Sequence, residues 1–198
     1  MKKYLFLIAS ILLFTSMNEA YSQCCANPLD EVTITRTVTV GTVPCTIKIT
    51  FCHNISPVGI RYIKICSITI PNGCGWGSVD LSSSTFWDII YHEIMVYSDS
   101  IYEFPPCDNI NQLASNVQIT KAECWRIVND YIALESKLVE CDGEAAICHI
   151  EYVVCWNGFV LTKTELNRWV VGESDCYYEG GVFLDPLNPN PDCFDTCY

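Results

Sequence analysis

Fourteen cysteines constrain this chain more than any other feature of its sequence. All of them lie between residues 24 and 197, and an even number at this density is typical of exported domains whose thiols are oxidised. We therefore expect up to seven disulfides, each stabilising the fold by roughly 2–4 kcal/mol, chiefly by restricting the unfolded chain. The spacing does not fix the pairing. The candidate half-cystines are Cys24, Cys25, Cys45, Cys52, Cys66, Cys74, Cys107, Cys124, Cys141, Cys148, Cys155, Cys176, Cys193 and Cys197.

The N-terminus has the features of a signal peptide spanning residues 1–22. Lys2 and Lys3 precede an apolar run over residues 4–14, and Ala20-Tyr21-Ser22 supplies small residues at −3 and −1 of a cleavage site. The apolar run is too short to cross a bilayer, which takes about 20 residues. The sequence thus predicts export to the periplasm, the outer surface or the medium, with no membrane span after cleavage.

Charge is distributed unevenly along a chain whose net charge is −12. Residues 23–79 carry two acidic and four basic side chains, whereas residues 80–198 carry 20 acidic and five basic ones. Such an acidic surface repels phosphate backbones, so we expect no nucleic-acid partner. The acidic residues are expected to keep a 50% hydrophobic chain soluble, and attraction of cations or basic partners is the alternative.

Alternating apolar residues predict several strands. Residues 32–40 and 45–52 both alternate, with threonines on the predicted outer face of the first, so they should pair as antiparallel neighbours. Residues 58–70 form a third predicted strand, and its apolar phase slips near Cys66, which indicates a bulge.

A β-hairpin is predicted over Ile147–Leu161, because Asn157-Gly158 is the strongest short hairpin signal. A two-residue type I′ turn there would place Trp156 opposite Phe159.

One longer helix is predicted from Ser84 to Ser98. Thr85 and Asp88 have the spacing of a capping box. The predicted buried stripe consists of Phe86, Ile90, Ile94 and Tyr97, with Ile89 and Met95 beside it.

These elements predict a mainly β fold of antiparallel, sandwich-like sheets with one helix and many disulfides; an α+β fold is the alternative. The Pro105-Pro106-Cys107 segment suggests a boundary between two regions. Residues 23–106 would form a β-hairpin region plus the helix. Residues 107–198 would form a C-terminal β region with an irregular, disulfide-anchored tail, either as a second domain or as part of the first.

Catalytic motifs are sparse in this sequence. Asp88, His92 and Glu93 are the candidate catalytic residues, because Asp88 and His92 would share one helix face and could hold a metal or polarise a water molecule. His92-Glu93 begins like a zinc-protease helix, but Val96 stands where its second histidine is required. An exposed polar helix face is the commoner role of such residues, so the sequence leans away from an enzyme.

The C-terminal stretch DPLNPNPDCFDTC offers closely spaced oxygen ligands, and Asp185, Asp192 and Asp195 are the candidate metal ligands. Its pattern resembles the calcium-binding repeats of thrombospondin type 3, although it lacks their alternating aspartate run and loop glycine. The resemblance implies Ca²⁺, the one cofactor suggested here. A proline-stiffened acidic tail is the alternative.

Aromatic side chains suggest either core packing or a stacking platform for sugars. Core packing is the default for strand residues, but one exposed pair would be enough for binding. The five tryptophans are Trp76, Trp87, Trp125, Trp156 and Trp169.

The export signal, the ITKAECW stretch and the later Cys141, Cys148 and Cys155 together resemble cysteine-rich secreted proteins of Bacteroidota. That resemblance implies a secreted protein and no particular activity. The sequence favours an exported, disulfide-stapled, non-catalytic module for cell-surface structure, adhesion or binding of a protein or glycan partner. The alternatives are a small secreted metal-dependent hydrolase and a calcium-stabilised extracellular module.

Overall fold

The computed structural model of the protein describes residues 24–40, 42–109, 113–141, 146–173, 176, 181–184 and 193–197. The predicted signal peptide lies outside these residues and stays a prediction. The described strands are β1 (Glu31–Val40), β2 (Val43–Ile55), β3 (Arg61–Pro71), β4 (Asn116–Ala122), β5 (Cys124–Asp130), β6 (Glu135–Glu140), β7 (Ile147–Trp156), β8 (Leu161–Val171) and β9 (Phe194–Asp195). The α-helix in this part of the chain is α1 (Ser84–Ile101), and short 3₁₀ turns cover Pro28–Asp30, Asn72–Cys74, Cys107–Asn109 and Leu113–Ser115. Among the described helices, none is long and apolar enough to cross a membrane.

All nine strands join in one curled sheet that forks at β3. Strands β1, β2 and β3 are consecutive antiparallel neighbours. The far edge of β3 pairs with β4 over its first half, in parallel, and with β6 over its second half, antiparallel. Strands β7 and β8 extend the sheet beyond β4, and β5 and β9 extend it beyond β6. The mainly β fold with one helix is therefore confirmed, and strands from both sides of residue 106 belong to the same sheet.

The inner face of the sheet and α1 share one hydrophobic core. The predicted inward face of β2 is confirmed, since Cys45, Ile47, Ile49 and Phe51 are all buried. Complete burial of a large apolar side chain contributes about 1.5–3 kcal/mol. The alternation of these strands thus sets which face packs against the helix.

The bulge predicted near Cys66 is confirmed. Thr50 pairs with Ser67, but its neighbour Phe51 pairs with Ile65, which leaves Cys66 as the extra residue on β3. The bulge brings both Ile65 and Ile68 into the core.

The β7–β8 hairpin forms, but its predicted turn is wrong. Trp156 pairs with Leu161, so four residues rather than two form the loop. Asn157 Oδ1 accepts hydrogen bonds from the backbone N–H groups of Phe159 and Val160, and positive φ occurs at Gly158 (98°) without extending to Asn157. The carboxamide caps the loop as an Asx turn, and this contact replaces the type I′ geometry.

The helix is confirmed, but it begins at a different cap. Ser83 Oγ accepts a hydrogen bond from the N–H of Phe86 at 3.3 Å, so Thr85 already lies in the first turn. The buried face is rotated away from Tyr97, which is half-buried. The helix residues in the core are Phe86, Trp87, Ile90, Tyr91, Ile94, Met95 and Ser98.

All fourteen cysteines lie in seven pairs at disulfide distance, which confirms the expected oxidised framework. Three of these bridges anchor the C-terminal tail. The pairs are Cys24–Cys66, Cys25–Cys52, Cys45–Cys74, Cys107–Cys155, Cys124–Cys176, Cys141–Cys193 and Cys148–Cys197.

Candidate functional site

A shallow groove runs beside the exposed face of α1, and it contains the residues that the sequence singles out for catalysis. Its walls come from α1, from residues 37–39 of β1 and from Lys163 of β8, and its volume is about 450 Å³. Asp88, His92 and Glu93 all line it. Helical spacing places Asp88 and His92 one turn apart on this face.

Both carboxylates in the groove have a cationic partner. Lys163 Nζ lies 2.8 Å from Asp88 Oδ1 and donates to the carbonyl oxygen of Asp88 at 2.9 Å. Arg36 Nε lies 3.5 Å from Glu93 Oε2. Each cation lies beside one oxygen of its carboxylate and balances the charge of that side chain.

His92 is exposed, and its ring has no hydrogen-bond partner in the described part of the chain. A catalytic histidine usually has one ring nitrogen held by an acceptor, which fixes the tautomer. Asp88, His92 and Glu93 thus share a groove without forming a relay, and a hydrolase built on them stays a prediction.

Four sulfur atoms cluster where Cys24 and Cys25 meet strands β2 and β3. The Sγ atoms of Cys24, Cys25, Cys52 and Cys66 all lie within 4.8 Å of one another. Among the described residues, this is the one group of three or more His, Cys, Asp or Glu ligand atoms that could hold a metal ion. Four thiolates in such a cluster suit tetrahedral zinc. As the Cys24–Cys66 and Cys25–Cys52 disulfides, these sulfurs are not thiolate ligands.

The calcium prediction falls largely on residues that the structure does not describe, because Asp185 and Asp192 both lie outside them. Asp195 is described and half-buried, and its Oδ1 accepts a hydrogen bond from the N–H of Cys197 at 2.8 Å. Calcium binding by this tail stays a prediction.

A buried lysine holds the C-terminal residues against the core. Lys121 is fully buried at the end of β4, and its Nζ donates to the carbonyl oxygen of Thr196 at 2.6 Å and to Thr196 Oγ1. The same Nζ lies 4.3 Å from the ring centroid of Trp87. Burial lowers the pKa of Lys121 well below its usual value, and the charge of Asp195 opposes that shift. The sequence carries no signal for this contact, since Lys121 is separated from Thr196 by 75 residues.

A second buried cation lies at the other end of the core. The Arg61 guanidinium donates to the carbonyl oxygens of Gly59, Ala114 and Tyr102 and stacks 3.6 Å from the ring centroid of Phe104. Burial lowers the pKa of Arg61 to about 10. These contacts connect β3 to the segment after α1.

His53 lies on the neighbouring strand β2 and contacts the helix. Its Nε2 is 2.8 Å from Ser98 Oγ. Burial and, to a smaller extent, the charge of Arg61 lower its pKa. His53 therefore favours the neutral form in the fold.

Strand β8 carries a bidentate ion pair that also contacts Tyr152 of β7. Arg168 donates through two nitrogen atoms to the two carboxylate oxygens of Glu165, at 3.0 and 2.6 Å. Tyr152 donates to the same carboxylate at 3.1 Å. The hydrogen bonds from Arg168 lower the pKa of Glu165, whereas burial raises the pKa of Tyr152. The arrangement holds the β8 backbone against β7.

The face of the sheet directed away from α1 carries aligned polar and aromatic side chains, and we call it the outer sheet face. Strand register brings these residues into two rows across neighbouring strands. The first row is Asn167, Glu151, Gln118, Tyr62 and Asn54, and the second is Trp169, His149, Thr120 and Lys64.

Two aromatic side chains on the outer sheet face are open to solvent. Trp169 is 37% exposed and Tyr62 is 43% exposed. The ring of Trp169 stacks on His149, with centroids 5.1 Å apart and planes 8° apart. The alternation in β3 could have identified Tyr62 as an outward-facing residue from the sequence. Its position relative to Trp169, however, depends on the pairing of β3, β4, β7 and β8.

The five tryptophans divide between the two predicted roles. Trp76, Trp87 and Trp125 are fully buried, which confirms core packing for them. Trp156 is half-buried and donates through Nε1 to Asp99 Oδ1 at 2.9 Å. Trp169 is the tryptophan that the fold leaves available for stacking.

In comparisons with known proteins, the chain matches no protein-family model, no curated protein and no solved structure.

Proposed function

We propose that this protein is an exported, disulfide-stapled, non-catalytic module that binds a partner at the cell surface. The observation that carries the proposal is the complete pairing of its cysteines. The bridges close loops of 27 to 52 residues, and each is expected to contribute about 3–4 kcal/mol by limiting the unfolded chain. Such a framework suits a protein that works among extracellular proteases.

The groove beside α1 supports a non-catalytic role. Asp88 and Glu93 are each matched by a cation, and no relay connects them to His92. A general base needs an acceptor atom within hydrogen-bond reach of the proton that it removes. The ion pairs across the groove instead connect α1 to β1 and β8.

Production of the full chain in a bacterium with and without a periplasmic disulfide oxidase tests this function. We expect the protein in the exported fraction, beginning at Gln23, resistant to protease when oxidised and rapidly degraded after reduction. Labelled oxidised protein should also be retained on washed cells or cell envelopes. Accumulation of unprocessed, reduced protein in the cytoplasm would contradict the proposal, as would turnover of a hydrolase substrate that His92→Ala abolishes.

A further inference from the structure

We propose that the outer sheet face binds an uncharged oligosaccharide lying across strands β8, β7, β4 and β3. This inference rests on the proposed function and names the chemistry of the partner. Its first support is the pair of exposed aromatic rings, Trp169 at the β8 end of the second row and Tyr62 on β3 in the first row. Sugar rings present flat patches of C–H groups, and aromatic rings stack on such patches.

The spacing of these aromatic residues suits a chain of several sugar rings. β8 and β3 are separated by three strand spacings, about 14 Å, and the two rows are offset by about 7 Å along the strands. Trp169 is held in place because it stacks on His149 at 5.1 Å. Little conformational entropy is then lost when a ligand stacks on it.

Polar side chains fill the space between the two rings. Gln118 Nε2 donates to Glu151 Oε1 at 3.4 Å, which leaves the second Glu151 oxygen and the remaining amide atoms of Gln118 for a ligand. Asn167 is exposed and lies beside Glu151 in the same row. Adjacent donors and acceptors of this kind match sugar hydroxyl groups, which donate and accept at once.

Charge complementarity favours an uncharged ligand. In the two rows, Lys64 and Glu151 are the residues with formal charge, and they cancel. Lys64 Nζ also donates to the carbonyl oxygen of Cys24 at 3.2 Å. The chain as a whole has a net charge of −12, so we expect it to repel an anionic polysaccharide.

A second copy of this chain fits the outer sheet face less well. Four of the five side chains in the first row are amides or a carboxylate, whereas the centres of homodimer interfaces are predominantly apolar. Self-association is therefore an outcome for the experiment to detect.

Isothermal titration calorimetry of the oxidised protein with cellohexaose, mannohexaose and chitohexaose tests the proposal, with hexagalacturonate as the acidic control. We expect at least one neutral hexasaccharide to bind and hexagalacturonate to bind more weakly. Trp169→Ala and Tyr62→Ala should each weaken that binding by about tenfold. Phe159→Ala is the matched control, because this ring is 92% exposed in the β7–β8 loop away from the rows, and it should leave the affinity unchanged.

Protease resistance of each variant establishes that its fold is intact. Absence of binding to all three neutral sugars overturns the proposal, and so does binding that survives both Trp169→Ala and Tyr62→Ala. If light scattering detects a dimer that Trp169→Ala dissociates, the outer sheet face mediates self-association. That result would also overturn the proposal. If sugars fail while the oxidised protein still binds cell envelopes, this inference falls and the proposed function stands.

Discussion

At the residue scale, Arg61 and Lys121 are the two fully buried cations among the described residues, and both donate to carbonyl oxygens. A buried charge is costly unless its hydrogen-bonding groups find partners. Arg61 donates through its two terminal nitrogens to three carbonyl groups and packs on an aromatic face, whereas its Nε is buried without a partner among the described residues. Lys121 contacts Thr196 and the ring of Trp87. Neither role was predictable from sequence, because all the partners except Gly59 lie far away along the chain.

We predict that Arg61→Met destabilises the protein by about 3 kcal/mol, because it leaves buried carbonyl groups without donors. Arg36→Met is the matched control, since Arg36 forms a partly exposed ion pair with Glu93, and it should cost less than about 1 kcal/mol. Guanidinium unfolding of both variants measures the difference. Equal losses would show that the carbonyl contacts of Arg61 contribute little.

Stability should also depend on the protonation of His53. Burial and Arg61 lower its pKa in the fold, so the unfolded chain binds the proton first as the pH falls below about 6.5. The stabilisation from neutral His53 is therefore complete above that pH and is lost as the pH falls through the folded-state pKa.

Unfolding measured at pH 7.5 and pH 5 tests this dependence. His53→Gln should lose less stability on acidification than the parent protein, and the exposed-site control His92→Gln should behave like the parent. Identical pH dependence in His53→Gln and the parent would contradict the assignment.

At the element scale, alternation predicted the first three strands because β1, β2 and β3 each bury one face more than the other. Strand β8, in contrast, has no buried residue. Residues 45–52 and the bulge at Cys66 followed directly from this period. Turn and cap details were harder to predict, since neighbouring side chains compete for the same backbone groups. Asn157 capped the hairpin loop through its own side chain, and Ser83 took the helix cap in place of Thr85.

Gly59 and Gly158 allow the stability cost of a positive φ to be distinguished from the cost of a close contact. Both have positive φ, 89° and 98°, so alanine at either position should cost about 1 kcal/mol. A Cβ at Gly59 would also lie 3.0 Å from Ala114 Cα, whereas one at Gly158 meets nothing within 4 Å. We therefore predict that Gly59→Ala is clearly more destabilising than Gly158→Ala in thermal unfolding. The reverse order would contradict the close approach between Gly59 and Ala114.

At the scale of the whole molecule, the feature that the sequence could not predict is the fork of the sheet at β3. Pairing of one strand edge with both β4 and β6 is a long-range arrangement, and local alternation carries no information about it. The same arrangement creates the outer sheet face, because its rows combine residues from β8, β7, β4, β3 and β2. The mainly β class and the cysteine framework were predictable, whereas the candidate binding surface required the topology.

The central claim is that the cysteines of this protein serve as covalent cross-links. The cluster of Cys24, Cys25, Cys52 and Cys66 is the sharpest place to test it, because thiolates there would suit zinc.

The most direct measurement is mass spectrometry of the exported native protein, alkylated without reduction and digested, together with its zinc content. We expect no alkylated cysteine, no zinc, and the seven pairs found in the structure, including Cys24–Cys66 and Cys25–Cys52. Several alkylated cysteines, or one zinc ion per chain released by a chelator, would contradict it.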